Sequence, residues 1–465
     1  MAKQSEQLIS AIRVEDLFGL YTYRLPQEGT FPNAAILYGD NGIGKTTILR
    51  LAFHLLSAAN DRGHRQALYQ SHFTKLEVIL FSGVTLTANR NELKGRPVLD
   101  LLISEHGKPL AQWLYLPKQQ RELFLGDEAG YSIEIGTDGT PRVSLKSRGR
   151  KEQAVAPEGE EIYISALKNV VPTTFFLNAE RRLDSDSVPD PSDEMELRRV
   201  MRYHEEPKRL NEIIGRSREI ALSQALKSAS DWVRTKAFQG ANQGASNVHS
   251  VYVAVLHHLI TPSSSAKEAS PAISPAELIK KLGSIESRTA AFAQYELATV
   301  LPTADFKKAL QARSANKRNL AAELLNPYVK SLESRLDAVE PTYSLLDRFV
   351  RIINGFLRDK SLSFKLRNGF IIESKLGTTL QPSDLSSGEQ QLLLLFSYVL
   401  TAREKPSVFI IDEPEISLNI KWQRQLVQSL LDITMDSNIQ FIFASHSMEL
   451  LAQHRNRVIP LVNVK

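Results

Sequence analysis

Gly39-Asp40-Asn41-Gly42-Ile43-Gly44-Lys45-Thr46-Thr47 spells the pattern G-x-x-x-x-G-K-T. Upstream, Ala34 to Tyr38 is an apolar run that reads as a buried strand. Downstream, Ile48 to Leu56 carries apolar residues at helical spacing. Strand, glycine-rich loop and helix in that order build a cradle for phosphate. The glycines let backbone N–H groups close around anionic oxygens at the positive end of the helix. Residues 39–47 are therefore expected to bind a nucleotide, with Lys45 reaching the β- and γ-phosphates and the Thr46 hydroxyl holding Mg²⁺.

Composition sets the surroundings of that loop. The chain has 465 residues, more than one ordinary hydrophobic core, which predicts one large composite domain or two lobes. It is 42% hydrophobic and 23% charged, as in water-soluble globular proteins. No uninterrupted apolar stretch approaches the roughly 20 residues that span a bilayer, and MAKQSEQLIS lacks a signal-peptide pattern. The expectation is a cytoplasmic protein with no membrane partner. With no cysteine, disulfides and thiolate metal sites are excluded. A net charge of +5 is compatible with a nucleic-acid partner without requiring one.

Residues 1–180 alternate short apolar runs with turn signals and predict strands around the phosphate-loop helix. Lys75 to Arg90 reads as two strands about a Ser-Gly turn, Tyr131 to Leu145 as two strands about Asp138-Gly139, and Val170 to Leu177 as a buried strand. From about Asp184 to Asp359 the pattern is helical, with breaks predicted at Gln239 to Ser246 and at Thr261 to Pro275. No heptad pattern is sustained enough for long coiled-coil arms, which leaves a short helical hairpin open. Strand signals return after Ser361.

A second cluster of motifs follows. Val408 to Ile411 is an apolar run ending in Asp412 and Glu413. A strand buried on both faces reads this way, and its carboxyl end is where an α/β sheet holds ligands. Asp412 suits an acid that organises Mg²⁺, and Glu413 a base that polarises the attacking water. Before it, Leu385-Ser386-Ser387-Gly388-Glu389-Gln390-Gln391 opens an apolar helical run. Ser386 with Glu389 is in itself a capping box, a plain helix start.

In this order the motifs resemble those of ABC-type ATPases. Residues 385–389 look like the Leu-Ser-Gly-Gly-Gln/Glu signature loop, with Ser387 in place of a glycine. Residues 413–419, ending in Asn419, look like the D-loop, and residues 440–447 like the terminal strand with its switch histidine, His446. No glutamine stands where the Q-loop is expected. In that stretch Asn178 or Glu180 could supply the metal-facing oxygen and Arg181 could face phosphate, with a solvated strand-to-helix turn as the competing reading.

The resemblance implies an α/β fold, an ABC-type P-loop NTPase core of mixed sheet and antiparallel β subdomain, split by a long helical insertion. Residues 1–180 and 361–465 would be the two halves of that core, and residues 181–360 the insertion. This split looks like the SMC and RecF branch. IIDEPEISLNIKWQ and FASHSMELL are similar to prokaryotic ATPases of the RecF and overcoming-lysogenization-defect type, whose relatives serve in anti-phage systems such as Septu and retron-associated modules.

With 19 residues after His446, the C-terminal Toprim nuclease domain of some relatives is not expected in this chain. The resemblance implies ATP and Mg²⁺ as cofactors and a homodimer or higher homo-oligomer. Ser386, Ser387, Gly388 and Glu389 would then meet nucleotide bound by the other subunit. It also implies a separate HNH-type nuclease partner. A RecF-type repair ATPase, an ATP-bound scaffold with little turnover and a transporter ATPase subunit stand as alternatives.

Two basic clusters could meet nucleic acid. Lys307, Lys308, Arg313, Lys317 and Arg318 lie in an acid-free stretch, 306–322, where helical spacing would give several of them a common face. Lys146, Arg148, Arg150 and Lys151 form the other. Solvated surface is the competing reading for both.

Overall fold

A computed structural model describes residues 8–60, 62–93, 96–117, 131–135, 141–145, 158–179, 183–186, 207–245, 253 and 274–465. The fold is mixed α/β, with two compact units. One comprises residues 1–214 and 402–465, the other residues 215–401.

The first unit is built on two six-stranded sheets. One is antiparallel, in the order β2 (Tyr21–Leu25), β1 (Ile9–Leu17), β4 (Lys75–Leu80), β5 (Val84–Leu93), β6 (Arg96–Glu105) and β7 (Lys108–Tyr115). The pair β4–β5 is the expected hairpin, turning at Ser82-Gly83 with Gly83 at positive φ. The strands expected in 131–145 pair antiparallel as β8 (Tyr131–Ile135) and β9 (Pro141–Leu145), and their turn lies outside the described residues.

The second sheet runs β11 (Leu183–Ser185), β10 (Thr173–Leu177), β15 (Ser407–Asp412), β16 (Ile439–Ala444), β3 (Ala34–Tyr38) and β17 (Val458–Pro460). All neighbours are parallel except β10 and β11. Burial explains the unbroken apolar runs. Both β15 and β16 are buried along their whole length, so neither face selects polar residues. Phe175 of β10 stacks on Phe409 of β15 with ring centroids 4.4 Å apart. Helix α1 (Lys45–Leu56) packs on this sheet through Phe53, which stacks on Phe176 at 5.4 Å. The strand expected over 170–177 begins at Thr173. Val170 instead ends helix α3 (Glu158–Val170), and Pro172, with no N–H to donate, sits in the turn between.

In the second unit the helical expectation holds, with changes in detail. Helix α4 (Pro207–Ala245) continues over 239–245 of the break expected at 239–246, and Ser246 lies outside the described residues. Gly240 is there because a Cβ at that position would lie 2.7 Å from the Ala338 carbonyl oxygen of helix α7 (Ala315–Phe356). The glycine permits close helix contact rather than a turn. Of the second expected break, 261–273 lie outside the described residues, and Pro275 opens helix α5 (Pro275–Ala293) behind the N-cap Ser274.

Helices α5 and α7 run parallel. Lys281 pairs with Glu333 at 3.0 Å, Arg288 with Glu340 at 2.8 Å, and the Tyr295 hydroxyl donates to Asp347 at 3.1 Å, each pair 52 residues apart. Leu278, Leu282, Ile285 and Phe292 supply the seam from α5, and Val329, Leu336 and Val339 from α7. This is a short heptad stripe between parallel helices, not an antiparallel hairpin.

Residues 361–401, grouped by sequence with the C-terminal half of the core, cluster with these helices instead. The three-stranded sheet β12 (Lys360–Lys365), β13 (Gly369–Ser374) and β14 (Thr379–Leu380) is tied to α4, where Arg234 donates to the Leu366 and Arg367 carbonyls at 2.8 and 2.9 Å. Helix α8 (Ser387–Thr401) packs Phe396 against Phe356 at 5.8 Å.

Two helical glycines give opposite expectations. Gly240→Ala should destabilise by about 1–3 kcal/mol, because the clash is with backbone and outweighs the gain of roughly 1 kcal/mol in helix propensity. Gly283→Ala, with nothing within 4 Å of its new methyl, should stabilise by up to about 1 kcal/mol. Urea unfolding of both variants checks the pair.

Candidate phosphate-binding site

Three loops leave the carboxyl ends of parallel neighbours β3, β16 and β15, and the site forms where they meet. Residues 39–47 join β3 to α1. Gly42 and Gly44 have φ of 83° and 95°, and a Cβ on Gly44 would lie 2.7 Å from Leu17 Cδ2. The first bond within α1 runs from the Ile48 N–H to the Gly44 carbonyl at 2.9 Å, so the amides of Lys45, Thr46 and Thr47 precede it. Gly44 offers no capping side chain, and no acid stands in the first turn. The terminus is thus open to an anion. Asp40, Asn41 and Gly42 are exposed, and Lys45 is buried.

Lys45 Nζ donates to the Gly39 and Asp40 carbonyls at 2.7 and 2.8 Å. Burial pushes its ammonium down from the ordinary lysine value, opposed by Glu413, Asp40, Asp412 and Glu415. The Thr46 hydroxyl donates to Asp412 Oδ1 at 2.9 Å, joining the phosphate loop to the end of β15 across 366 residues of sequence. Asp412 is 2% exposed. Burial pushes its carboxyl above the usual carboxylate range. The Thr46 hydrogen bond and Arg50 oppose that rise, and Glu413 and Glu415 add to it. Adjacent hard oxygen donors, one hydroxyl and one carboxylate, suit Mg²⁺.

Glu413 follows with φ of 48°, a left-handed conformation that a side-chain-bearing residue adopts at a cost of order 1–3 kcal/mol. Its N–H donates to the Ala444 carbonyl at 2.9 Å, so the end of β16 holds the turn. Asn419 caps helix α9 (Ile420–Ile433), accepting from the Trp422 N–H at 3.0 Å. His446 lies half-buried just beyond β16.

Three contributors were not singled out from the sequence, Glu415 among them although it lies within the D-loop-like stretch 413–419. Glu415 Oε1 accepts from Ser445 Oγ and from the His446 and Ser447 amides at 2.9, 2.7 and 3.1 Å. The Tyr23 hydroxyl donates to the Ile43 carbonyl at 3.0 Å, and burial raises it to about 12. Phe18, largely exposed, lies beside Gly44. Tyr23 comes from β2 of the antiparallel sheet and Phe18 from the turn between β1 and β2, and their distance in sequence from residues 39–47 hides the relation.

The signature-like residues belong to the second unit. Ser386 and Glu389 form the capping box: Ser386 N–H and Oγ donate to Glu389 Oε2 at 2.7 and 2.8 Å. Lys360 Nζ reaches the same oxygen at 2.8 Å. Burial pushes the Glu389 carboxyl up, but Lys360 and the Ser386 donors outweigh it and hold it below the usual range. With Ser386 Oγ committed, Ser387 and Gly388 are the residues whose amides precede the first bond in α8, Gln390 N–H to Ser386 O.

Of the basic stretch, Lys307 and Lys308 lie on helix α6 (Ala304–Leu310), Arg313 in the turn that follows, and Lys317 and Arg318 on α7, so one helix face does not collect them. Lys307 pairs with Glu286 at 2.6 Å, Lys308 with Asp305 at 3.4 Å, and Arg318 donates to the Ala312 and Arg313 carbonyls. Glu286 comes from α5, which an acid-free window on sequence does not reveal. Asn178 follows β10. Glu180, Arg181 and the cluster Lys146, Arg148, Arg150 and Lys151 lie outside the described residues. Among the described residues no helix is long and apolar enough to cross a membrane.

The Asp412 carboxyl binds its proton more tightly when folded than unfolded. Its contribution favours folding at pH values below the ordinary Asp range and is lost as pH rises through the folded value. At neutral pH Asp412→Asn should therefore raise the melting temperature of nucleotide-free protein, by roughly 2 °C, while removing the further rise that Mg²⁺ with ATP gives the wild type. Thermal melts with and without Mg²⁺-ATP test both halves.

Residues 264–452 match the family described as AAA domain, putative AbiEii toxin, Type IV TA system, a stretch containing the signature-like loop, Asp412, Glu413 and His446. Over 82 residues, 18% of the chain, it is 35% identical to the molybdenum import ATP-binding protein ModC of Escherichia coli strain K12 and to that of Shigella flexneri. It spans 22% of the length of these curated relatives.

Among solved structures, the Smc head domain with an extended coiled coil bound to the C-terminal domain of ScpA, from Pyrococcus furiosus, aligns over 98% of this chain and 96% of that one, at 14% identity and a TM-score of 0.34. The Smc head domain with a coiled coil and joint from Pyrococcus yayanosii aligns over 98% and 97%, at 14% identity and a TM-score of 0.35. The sequence matches, beside the geometry of residues 39–47 and 412–413, describe an ATPase-type P-loop domain.

Proposed function

We propose that the chain binds ATP with Mg²⁺ and hydrolyses it. The observation that carries this reading is the 2.9 Å contact between Thr46 Oγ1 and Asp412 Oδ1, which brings the end of the phosphate loop beside the end of β15. The ion, when bound, neutralises charge on the β- and γ-phosphate oxygens. Thr46 and Asp412 would hold it, Asp412 directly or through water. Amides of residues 42–47 and the Lys45 ammonium cradle the phosphates. The Glu413 carboxylate takes a proton from the attacking water as its oxygen bonds to the γ-phosphorus. The β–γ bridging oxygen departs with the bonding electrons. His446 contacts the γ-phosphate and reports its presence.

The resemblance of residues 385–389 and 413–419 to ABC-type motifs supports an extension of this reading. Two copies close around ATP, with Ser387 and Gly388 of one facing the γ-phosphate held by the other, and hydrolysis releases them. We assign the cycle to a sensor or regulator in a nucleic-acid-linked system, with anti-phage defence and a separate HNH-type nuclease subunit as the leading setting.

Wild-type protein should release phosphate from ATP, and Glu413→Gln should bind ATP normally while losing about 100-fold or more in turnover. Light scattering of Glu413→Gln with Mg²⁺-ATP should show a doubled mass relative to nucleotide-free protein, and an unchanged mass would reject nucleotide-driven pairing. If nucleic acid binds the second unit, Arg313 and Lys317 offer the exposed charge. Reversing both should flatten the salt dependence of duplex binding by about two counterions, read from filter binding between low and moderate salt.

A further inference from the structure

Glu415 lies two residues beyond Glu413, and its side chain turns back beneath the switch loop instead of following the chain into α9. One oxygen, Oε1, collects Ser445 Oγ at 2.9 Å, the His446 N–H at 2.7 Å and the Ser447 N–H at 3.1 Å. Successive amides converging on one anionic oxygen form a nest, and each such bond is charge-assisted.

Gln423 of α9 adds a second tie. Its Nε2 donates to the Leu418 carbonyl at 2.8 Å, and its Oε1 accepts from the Ser447 hydroxyl at 2.8 Å. From the other side the Ser445 N–H donates to the Leu37 carbonyl of β3 at 3.2 Å. The backbone around His446 is thus held between the strand that feeds the phosphate loop and the segment after Glu413. Ser445 is fully buried, so loss of its acceptor would not be made good by bulk water.

We infer that Glu415 is a positioning residue: its carboxylate fixes the backbone of residues 445–447 and thereby aims the His446 ring at the γ-phosphate position. This rests on the ATPase reading above and adds a residue that none of the motifs contains in that role. The arrangement also makes residues 413–419 and the His446 loop one mechanical piece, so a partner that shifts the former moves the latter.

The test uses the full chain and four proteins beside wild type: Glu415→Ala, Glu415→Gln, His446→Ala and the Glu415→Ala/His446→Ala double variant. Glu415→Ala should lose about 100-fold in kcat with KM for ATP and ATP affinity, measured with a fluorescent ATP analogue, changed less than about threefold. Glu415→Gln, which keeps an acceptor oxygen for the loop amides, should recover most of the rate. The double variant should be no slower than His446→Ala, since a residue acting through His446 has nothing left to position.

Amide exchange at His446 and Ser447 should accelerate in Glu415→Ala and not in His446→Ala, a readout independent of turnover. Wild-type kcat in Glu415→Ala, multiplicative losses in the double variant, or unaltered amide exchange would each overturn the assignment. So would undiminished hydrolysis by His446→Ala, and in each of these cases the ATPase reading would stand. Absence of ATP turnover in the wild type would instead remove that reading, and this inference with it.

Discussion

A hydroxyl and a buried carboxylate 366 residues apart meet at 2.9 Å, and the first unit is arranged so that they can. Thr46 lies in the first turn of a helix, among amides that precede its first internal bond, and Asp412 ends a strand with no exposed face. Between their parent strands lies β16, which delivers His446 to the same edge. Parallel strands align their carboxyl ends, so loops distant in sequence open on one side of the sheet. The electrostatic cost is plain. Burial, with Glu413 and Glu415 close by, raises the Asp412 carboxyl, and Lys45 is a buried cation beside them. On the proposed reading, Mg²⁺ would offset the acids gathered beside this helix end.

Rigidity is spent where the chemistry needs it. Glu413 holds a left-handed backbone pinned to Ala444, and Gly44 has no space for a side chain against Leu17. The antiparallel sheet contributes more than a second layer. Through the Tyr23 hydroxyl it grips the Ile43 carbonyl, so the phosphate loop is braced from outside its own strand and helix. In the second unit the same economy appears between helices, where Gly240 allows a close approach and a ladder of pairs 52 residues apart keeps α5 and α7 in step.

By itself the sequence determined what is local. Residues 39–47 spell a phosphate loop because each position answers to backbone geometry within one turn. The run from Val408 to Asp412 and Glu413 reads as a buried strand because burial on both faces leaves no polar alternation. The capping box of Ser386 and Glu389 spans three residues and was equally plain.

Tertiary structure decided whatever depends on a distant neighbour. Gly240 reads as a break until Ala338 is beside it, and the stretch around Lys307 reads as free charge until Glu286 arrives from α5. The parallel sense of α5 and α7 needs pairs that no window of sequence contains. Glu415 is one more acid after Asp412 and Glu413 until the fold brings Ser445, His446 and Ser447 to its oxygen. Short-range patterns record dihedral and burial preferences, whereas a hydrogen bond between remote segments leaves no period or spacing to read.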